Sequence, residues 1–393
     1  MSKQLLRSIR VRNFKAIRET GALKLSPLTV FIGNNGSGKS SFLEALETFQ
    51  AVAQNGVDEA MRPWHGFEHI WSRAVAHEDK EETRDKRAHQ TNPMSFSMSG
   101  WMPLKTIGGA FSAETALTMG QGGNQIFIQH EEVKFRKGLH MTRNDRGIID
   151  YPNGPDRIRR KTKLDDGESI LQDLGIGGLG RWQFLGLVPQ NMGEPSPQKR
   201  AGGEVRLAKD GRNIAQYLRW IRDQDSDAYY GIAESLRSVL SYARDIQPAL
   251  TSELERTVYL QMTEKDFKVP GWLFSTGTLR ILALLALLRS PSPPPLIAVE
   301  EIENGLDPRT THLILDEIRT AIHDGRSQVL MTSHSPYLLD LLPLQTLVLC
   351  ERDEEGAPRF WRPSDSTETK SWAKSFAPGH LYTTGRLSRR TRS

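Results

Sequence analysis

The stretch from Val30 to Ser41, V-F-I-G-N-N-G-S-G-K-S-S, constrains this chain more than any other. Val30, Phe31 and Ile32 read as the end of a buried strand. Gly33, Asn34, Asn35, Gly36, Ser37 and Gly38 read as a turn whose small residues let backbone N–H groups face inward around an anion. Lys39, Ser40 and Ser41 then open a helix whose N-terminal dipole favours negative charge. The pattern is G-x-x-x-x-G-K-[ST], a P-loop, and its physical meaning is a cradle for a phosphate chain. Phe42, Leu46 and Phe49 follow at helical spacing, as a strand–loop–helix unit requires.

The 393 residues are 37% hydrophobic and 25% charged, enough for one large domain or two smaller ones. No apolar run approaches the roughly 20 residues that span a bilayer. The N-terminus alternates charged and aliphatic residues without the apolar core of a signal peptide, so a cytoplasmic protein with no membrane contact is expected. The single cysteine, Cys350, lies in an apolar run and reads as a small buried hydrophobe, which excludes a disulfide framework and a cysteine-based zinc site. The net charge of +5 permits contact with nucleic acid without establishing it.

Along the chain, Ser8 to Phe14 alternates as a strand, with Ile9, Val11 and Asn13 on one face and Arg10 and Arg12 on the other. His65, Glu68 and His69 have no matching ligands elsewhere, and capping or partial burial is expected of them rather than metal binding. His77 to Gln90 is a mixed charge run, read as a solvated loop or helix. Phe96 to Arg160 carries short alternating segments, among them Ala113 to Met119, Gln125 to Gln129 and Val133 to Arg136, which predict a small antiparallel sheet. Arg157, Arg159, Arg160, Lys161 and Lys163 form the densest positive cluster, read as a solvated face with a phosphate-backbone contact as the alternative. Gly175 to Gly180 lacks the flanking strand and acidic residue of a dinucleotide fingerprint. Gln190 to Gly203 reads as a loop, and Gly211 to Leu250 as two or three helices.

A second set of signals follows. Ser275, Thr276, Gly277 and Thr278 start a helix that is apolar nearly all round from Ile281 to Leu288, which predicts burial. Leu296 to Val299 reads as a buried strand delivering Glu300 and Glu301 at its carboxyl end. Beside a P-loop, such a pair suits one carboxylate for Mg²⁺ and another for the attacking water. Asn304 to Pro308 turns into a helix with Ile314, Ile318, Ala321 and Ile322 on its buried face. Gln328 to Met331 is a further strand, ending in Thr332, Ser333, His334 and Ser335, and a histidine at that place can reach a γ-phosphate. Thr346 to Cys350 and Arg359 to Trp361 read as closing strands, and the tail from Arg386 as disordered.

This order of P-loop, S-T-G-T helix, Glu-Glu strand, N-G-L-D turn and T-S-H strand resembles the ABC-type ATPase head. More closely it is similar to the RecF, SMC and overcoming-lysogenisation-defect branch, in a group of bacterial AAA-family ATP-binding proteins. The resemblance covers residues 1 to about 350 and is strongest at 28–49 and 270–340. It implies an α/β fold, with a P-loop mixed sheet, an antiparallel β lobe and a helical lobe. The expected division is a head at 1–350 and a closing strand and tail at 351–393. Within the head, 1–60 would be the P-loop half, 61–205 the β and insert region, 206–290 the helical and signature region, and 291–350 the half with the carboxylates and histidine.

By the same resemblance, Lys39 and Ser40 bind the phosphates of ATP and Mg²⁺, Glu300 assists Mg²⁺, Glu301 is the catalytic carboxylate and His334 senses the γ-phosphate. Asp307 takes the D-loop position. Ser275 and Gly277 match the signature that completes the site of an opposite subunit, and Arg12 matches a basic element near the adenine. Thr276 stands where ABC signatures commonly carry glycine, and Glu300 replaces the usual aspartate. Gln183 and Gln190 both remain candidates for the Q-loop glutamine.

SMC relatives carry long coiled-coil arms and overcoming-lysogenisation-defect nucleases a TOPRIM domain; neither is expected here. The resemblance thus implies an ATPase that forms a homodimer or higher homo-oligomer around ATP. It would control a separately encoded effector, such as a nuclease, in antiphage defence. The alternative is a RecF-like ATPase that grips DNA in repair, using the Arg157 to Lys163 cluster.

Overall fold

Hydrophobic alternation and its interruptions explain most of the architecture seen in a computed structural model, which describes residues 6–72, 92–102, 109–120, 125–136, 138–151, 163–174, 178–199, 202–252 and 255–388. The chain divides into two compact units. The first comprises Lys3–Trp182 and Leu342–Ser393; the second contains Gln183–Leu341.

The first unit opens with β1 (Leu6–Phe14), which buries Ile9, Val11, Asn13 and Phe14. Leu6 is buried on the same face although three residues before Ile9, because the register slips between Leu6 and Ser8 and resets the alternation. β2 (Ile17–Glu19) and β3 (Leu23–Lys24) return beside β1. The sheet continues through β5 (Met94–Met102), β6 (Gly109–Met119), β7 (Ile126–Phe135), β8 (His140–Arg143) and β9 (Ile149–Asp150), eight antiparallel strands in all. This sheet is larger than the sequence implied, since it takes in the N-terminal strands. The two segments expected at Gln125 to Gln129 and Val133 to Arg136 are one strand, β7. A register shift opposite Ala116 and Leu117 absorbs the change of phase.

β4 (Leu28–Ile32) is buried at every residue and runs into the P-loop and α1 (Lys39–Asn55). Phe42, Leu46 and Phe49 are fully buried on α1, as the spacing predicts, and Phe42 packs on Phe31 with ring centroids 4.5 Å apart. α2 (Val57–Met61) and α3 (Ile170–Asp173) follow; the hydroxyl of Ser169 caps α3 by accepting from the Leu171 amide.

In the second unit, β10 (Gln183–Leu185), β15 (Leu296–Val299) and β16 (Gln328–Ser333) lie parallel in that order, every residue buried. Between them the chain forms α4 (Pro189–Met192), β11 (Ser196–Pro197), α5 (Ile214–Gln224) and α6 (Ser226–Val239). The helical reading of Gly211 to Leu250 fails at its end: Ala243–Leu250 is strand β12, paired with β13 (Thr257–Glu264). Pro248 sits within β12, where it would break a helix but is tolerated on an edge strand. β14 (Phe267–Pro270) pairs with the other edge of β13.

α7 (Thr276–Leu288) is buried at every position from Thr278 to Leu288, so its all-round hydrophobicity is that of a core helix. Burial of each leucine is worth about 1.5–3 kcal/mol relative to exposure. α8 (Pro308–His323) buries Ile314, Ile318 and Ala321 as expected, whereas Ile322 is half-buried. α9 (Pro336–Asp340) closes the unit.

The chain then returns to the first unit. β17 (Leu347–Arg352) lies parallel to β4, and β18 (Pro358–Trp361) forms a hairpin with it. Cys350 is fully buried and burial pushes its thiol pKa well up, against the pull of the Lys39 ammonium. α10 (Thr367–Trp372) and α11 (Pro378–Thr383) follow. The tail is not free at its start: Arg386 lies over the rings of Trp372 and Phe376, Leu387 is fully buried, and the Ser388 hydroxyl donates to Glu351.

Candidate functional site

The first unit supplies the anion cradle. Two of its turn glycines are dictated by crowding as well as by positive φ. A Cβ on Gly33 would lie 2.1 Å from the Cys350 carbonyl oxygen, and one on Gly38 would lie 2.7 Å from the Pro358 side chain. Asn34, Asn35, Gly36 and Ser40 are exposed, Ser41 is half-buried, and Ser37 is buried. Lys39 is only 5% exposed, and its ammonium donates to the carbonyls of Gly33 at 2.8 Å and Asn34 at 2.9 Å, with the Ser37 hydroxyl 3.5 Å away. A buried ammonium thus sits inside a loop of peptide groups at a helix start with no acidic residue in its first turn, an arrangement suited to an anion and hostile to a cation. Arg352 braces the loop from outside by donating from Nε to the Gly36 carbonyl at 2.8 Å.

Arg12, also in this unit, lies on β1 with Nε 3.4 Å from a Glu19 carboxylate oxygen, and Lys15 pairs with Glu44 at 2.7 Å and lies over the Trp64 ring. His69 faces Glu68 at 3.8 Å, and among the described residues no group of three or more His, Cys, Asp or Glu side chains could hold a metal ion. Arg157, Arg159, Arg160 and Lys161, the run from His77 to Gln90 and the glycines at 175 and 177 lie outside the described residues; Lys163 is described and exposed.

The second unit supplies the carboxylates. β15 delivers Glu300, whose amide donates to the Leu185 carbonyl, and then Glu301, whose backbone turns to φ 45°. That left-handed backbone is costly for a residue with a side chain, and three contacts hold it, one of them the Asn304 amide donating to the Glu301 carbonyl at 3.0 Å. The Glu301 amide donates to the Thr332 hydroxyl at 2.8 Å, and the Glu301 carbonyl accepts from Arg280 Nη2 at 3.0 Å. The carboxylate itself is exposed, with Oε1 3.9 Å from His334 Nε2. Such an exposed carboxylate, with Oε2 3.5 Å from the Asn304 side-chain amide and Oε1 beside a half-buried imidazole, can orient or deprotonate a nucleophile.

Ser275 caps α7, its hydroxyl accepting from the Thr278 amide at 3.1 Å. Gly277 meets the turn after Glu301: a Cβ there would lie 2.5 Å from the Gly305 carbonyl oxygen. Asp307 caps α8, accepting from the Arg309 and Thr310 amides and the Thr310 hydroxyl, and the Thr310 contacts foremost hold its carboxyl below the usual range. The second unit therefore brings Glu301 and His334 together and seats Gly277 on the turn that follows Glu301, while Ser275 and Asp307 cap the helices that start beside that turn. Gln183 is buried in β10 with its amide donating to the Leu207 carbonyl, while Gln190 is exposed on α4.

Two residues of this cluster escaped the sequence reading. Arg280, 6% exposed, donates to the Leu187 and Glu301 carbonyls; burial pulls its pKa down while Glu301 and Glu303 oppose that. Glu303 accepts from the Ser333 hydroxyl and from the His334 and Ser335 amides. A charged residue inside an otherwise apolar helix was the available signal for Arg280; for Glu303, it was a third glutamate two residues after the Glu-Glu pair.

Two family models match the chain. One, described as "AAA domain, putative AbiEii toxin, Type IV TA system", covers residues 187–340; the other, "AAA ATPase domain", covers residues 5–144. Among solved structures, the chain is similar to an Smc head bound to the C-terminal winged-helix domain of ScpA. That match has 11% identity and a TM-score of 0.48, covering 91% of this chain and 97% of the other. It is similar also to the SMC head domain from Thermotoga maritima, at 14% identity, TM-score 0.39 and coverage of 91% and 98%. A third is an Smc head with an extended coiled coil bound to the C-terminal domain of ScpA, derived from Pyrococcus furiosus, at 10% identity, TM-score 0.49 and coverage of 95% and 100%. No curated protein matches.

Proposed function

We propose that the chain is an ABC-type ATPase head of the SMC and RecF branch, with no long coiled coil among its described residues, and that it is a Mg²⁺-dependent ATP hydrolase whose copies pair around ATP; the two AAA family models that match residues 5–144 and 187–340 support this reading. The observation that carries this reading is the Lys39 ammonium held inside the P-loop by the Gly33 and Asn34 carbonyls. A triphosphate offers that ammonium stronger, charged acceptors than two peptide oxygens.

In this reading the loop from Gly33 to Ser41 cradles the phosphates with its backbone amides, and Lys39 binds the terminal ones. Ser40 and Glu300 are the residues that would hold Mg²⁺, which when bound neutralises phosphate charge. The exposed hydroxyl of Ser40 and the half-buried carboxylate of Glu300 are hard oxygen donors that fit such an ion. Glu301 orients the attacking water and takes its proton, and His334 contacts the γ-phosphate. Ser275 and Gly277 complete the site of a second copy, Asp307 lines it, and Arg12 lies toward the base. Magnesium dependence, ATP as the nucleotide and a cytoplasmic location belong to the same reading; no described helix is long and apolar enough to cross a membrane.

The cycle would control a separately encoded effector, such as a nuclease, in antiphage defence. The toxin–antitoxin description of the matching family supports that setting. The test measures molecular mass in solution without nucleotide, with ATP, and with ATP for Glu301→Gln, while phosphate release is recorded. Association on ATP that Glu301→Gln traps while turnover stops is the expected result. Turnover that survives both Lys39→Ala and Glu301→Gln would overturn the assignment.

A further inference from the structure

The ends of β15 and β16 are laced together, and one side chain carries most of the lacing. Oε1 of Glu303 accepts from the His334 amide at 2.7 Å, the Ser333 hydroxyl at 2.9 Å and the Ser335 amide at 3.1 Å. Its other oxygen, Oε2, is buried without a hydrogen-bond partner. A carboxylate that places three donors on one oxygen and leaves the second bare is fixed by where that oxygen sits. Hydration does not hold it there. From the other strand end, Thr332 takes the Glu301 amide on its hydroxyl and the Ile302 amide on its carbonyl. Residues 301–303 and 332–335 are thereby one framed unit, and Arg280 ties it to α7 through the Glu301 carbonyl.

We propose that Glu303 is a positioning residue, which sets the backbone of His334 so that its imidazole stays 3.9 Å from the Glu301 carboxylate. The inference rests on the proposed ATPase reading, within which Glu303 touches neither nucleotide nor water. Its oxygen substitutes for the peptide acceptor that the His334 and Ser335 amides would have if β16 continued. Without it, the His334 amide and the Ser333 hydroxyl lose their acceptor at once, the Ser335 amide keeps only the Ser333 hydroxyl at 3.0 Å, and the turn carrying the histidine is released.

The experiment is a double-mutant cycle on ATP turnover with Glu303→Ala, His334→Ala and both. Each single change is expected to lower kcat about tenfold with KM unchanged, and the double change to lower it about tenfold again relative to wild type, because the histidine is already lost in Glu303→Ala. Losses that multiply to about a hundredfold would overturn the proposal. Should Glu303→Ala fail to fold, Glu303→Gln and Glu303→Asp decide. Gln keeps an acceptor oxygen in place and is expected to recover most of kcat; Asp keeps the charge but withdraws it by one methylene and is expected to match the alanine loss. Recovery by Asp and not Gln would show that charge, not position, is used, and would sink the idea. Turnover that ignores Lys39→Ala would fail the ATPase reading itself. Turnover that needs Lys39 and Glu301 while the two losses multiply would fail only this inference.

Discussion

Gly277 and Gly305 are packed so closely that the hydrogen of one stands where a methyl group would be 2.5 Å from the carbonyl oxygen of the other. The start of α7 is thus seated on the turn that follows Glu301. Gly277→Ala should lower turnover at least about tenfold while nucleotide binding to the P-loop persists. Alanine by itself favours a helix by about 0.5–1 kcal/mol over glycine, so a far-ultraviolet spectrum at least as helical as wild type would assign the loss to the displaced turn. Unchanged turnover would separate this contact from function.

At Gly33 the same logic predicts a stability effect. A Cβ would meet the Cys350 carbonyl at 2.1 Å on a backbone of φ 149°, so β4 and β17 must part or the loop must rebuild. Gly33→Ala is expected to cost about 2–4 kcal/mol, read as a lower denaturant midpoint, together with loss of nucleotide binding.

Lys39→Ala tests the cradle by linkage. A ligand at one hundred times its Kd stabilises the folded state by about 2.7 kcal/mol, so wild type should show a clear rise in Tm with saturating ATP and the variant none. A shift of equal size in both would place the nucleotide elsewhere.

The framework of both half-sites was legible because its signals are local. A strand of apolar residues that ends in small or acidic ones, as at Ile32 to Gly33 and at Val299 to Glu300, announces itself within ten residues. What failed to show depended on partners far along the chain. β7 reads as two pieces because His130, Glu131 and Glu132 interrupt it, yet Glu131 is fully buried by donors from Thr115, Ser169 and Ile170. Ala243 to Leu250 reads as helix although Pro248 argues otherwise, since only β13 shows what this segment pairs with. The role of Glu303 is hidden for the same reason: the sequence offers a third glutamate, but its three donors lie about thirty residues on.

Glu131 also predicts a pH dependence. Burial raises its carboxyl pKa, despite hydrogen bonds from Ser169, Ile170 and Thr115 and the nearby Arg143 charge that act to lower it. A carboxyl whose folded pKa exceeds its unfolded value of about 4.5 binds its proton more tightly when folded. Its contribution to stability is therefore complete below that value and is lost as pH rises through the raised folded one. Glu131→Gln, neutral at every pH and facing hydroxyls that can reverse their donation, should flatten this slope. Melting curves from pH 5 to 8 should show the wild type losing ground to the variant as pH rises; parallel curves would count against it.

The ammonium of Lys39 is already engaged by carbonyls of its own loop. Anion capture is then an exchange: each phosphate oxygen that arrives displaces a peptide carbonyl of the same chain. A ligand must therefore offer this ammonium stronger acceptors than its own tethered carbonyls, and a triphosphate, with its greater negative charge, does so better than a monophosphate before any contact with base or sugar is made.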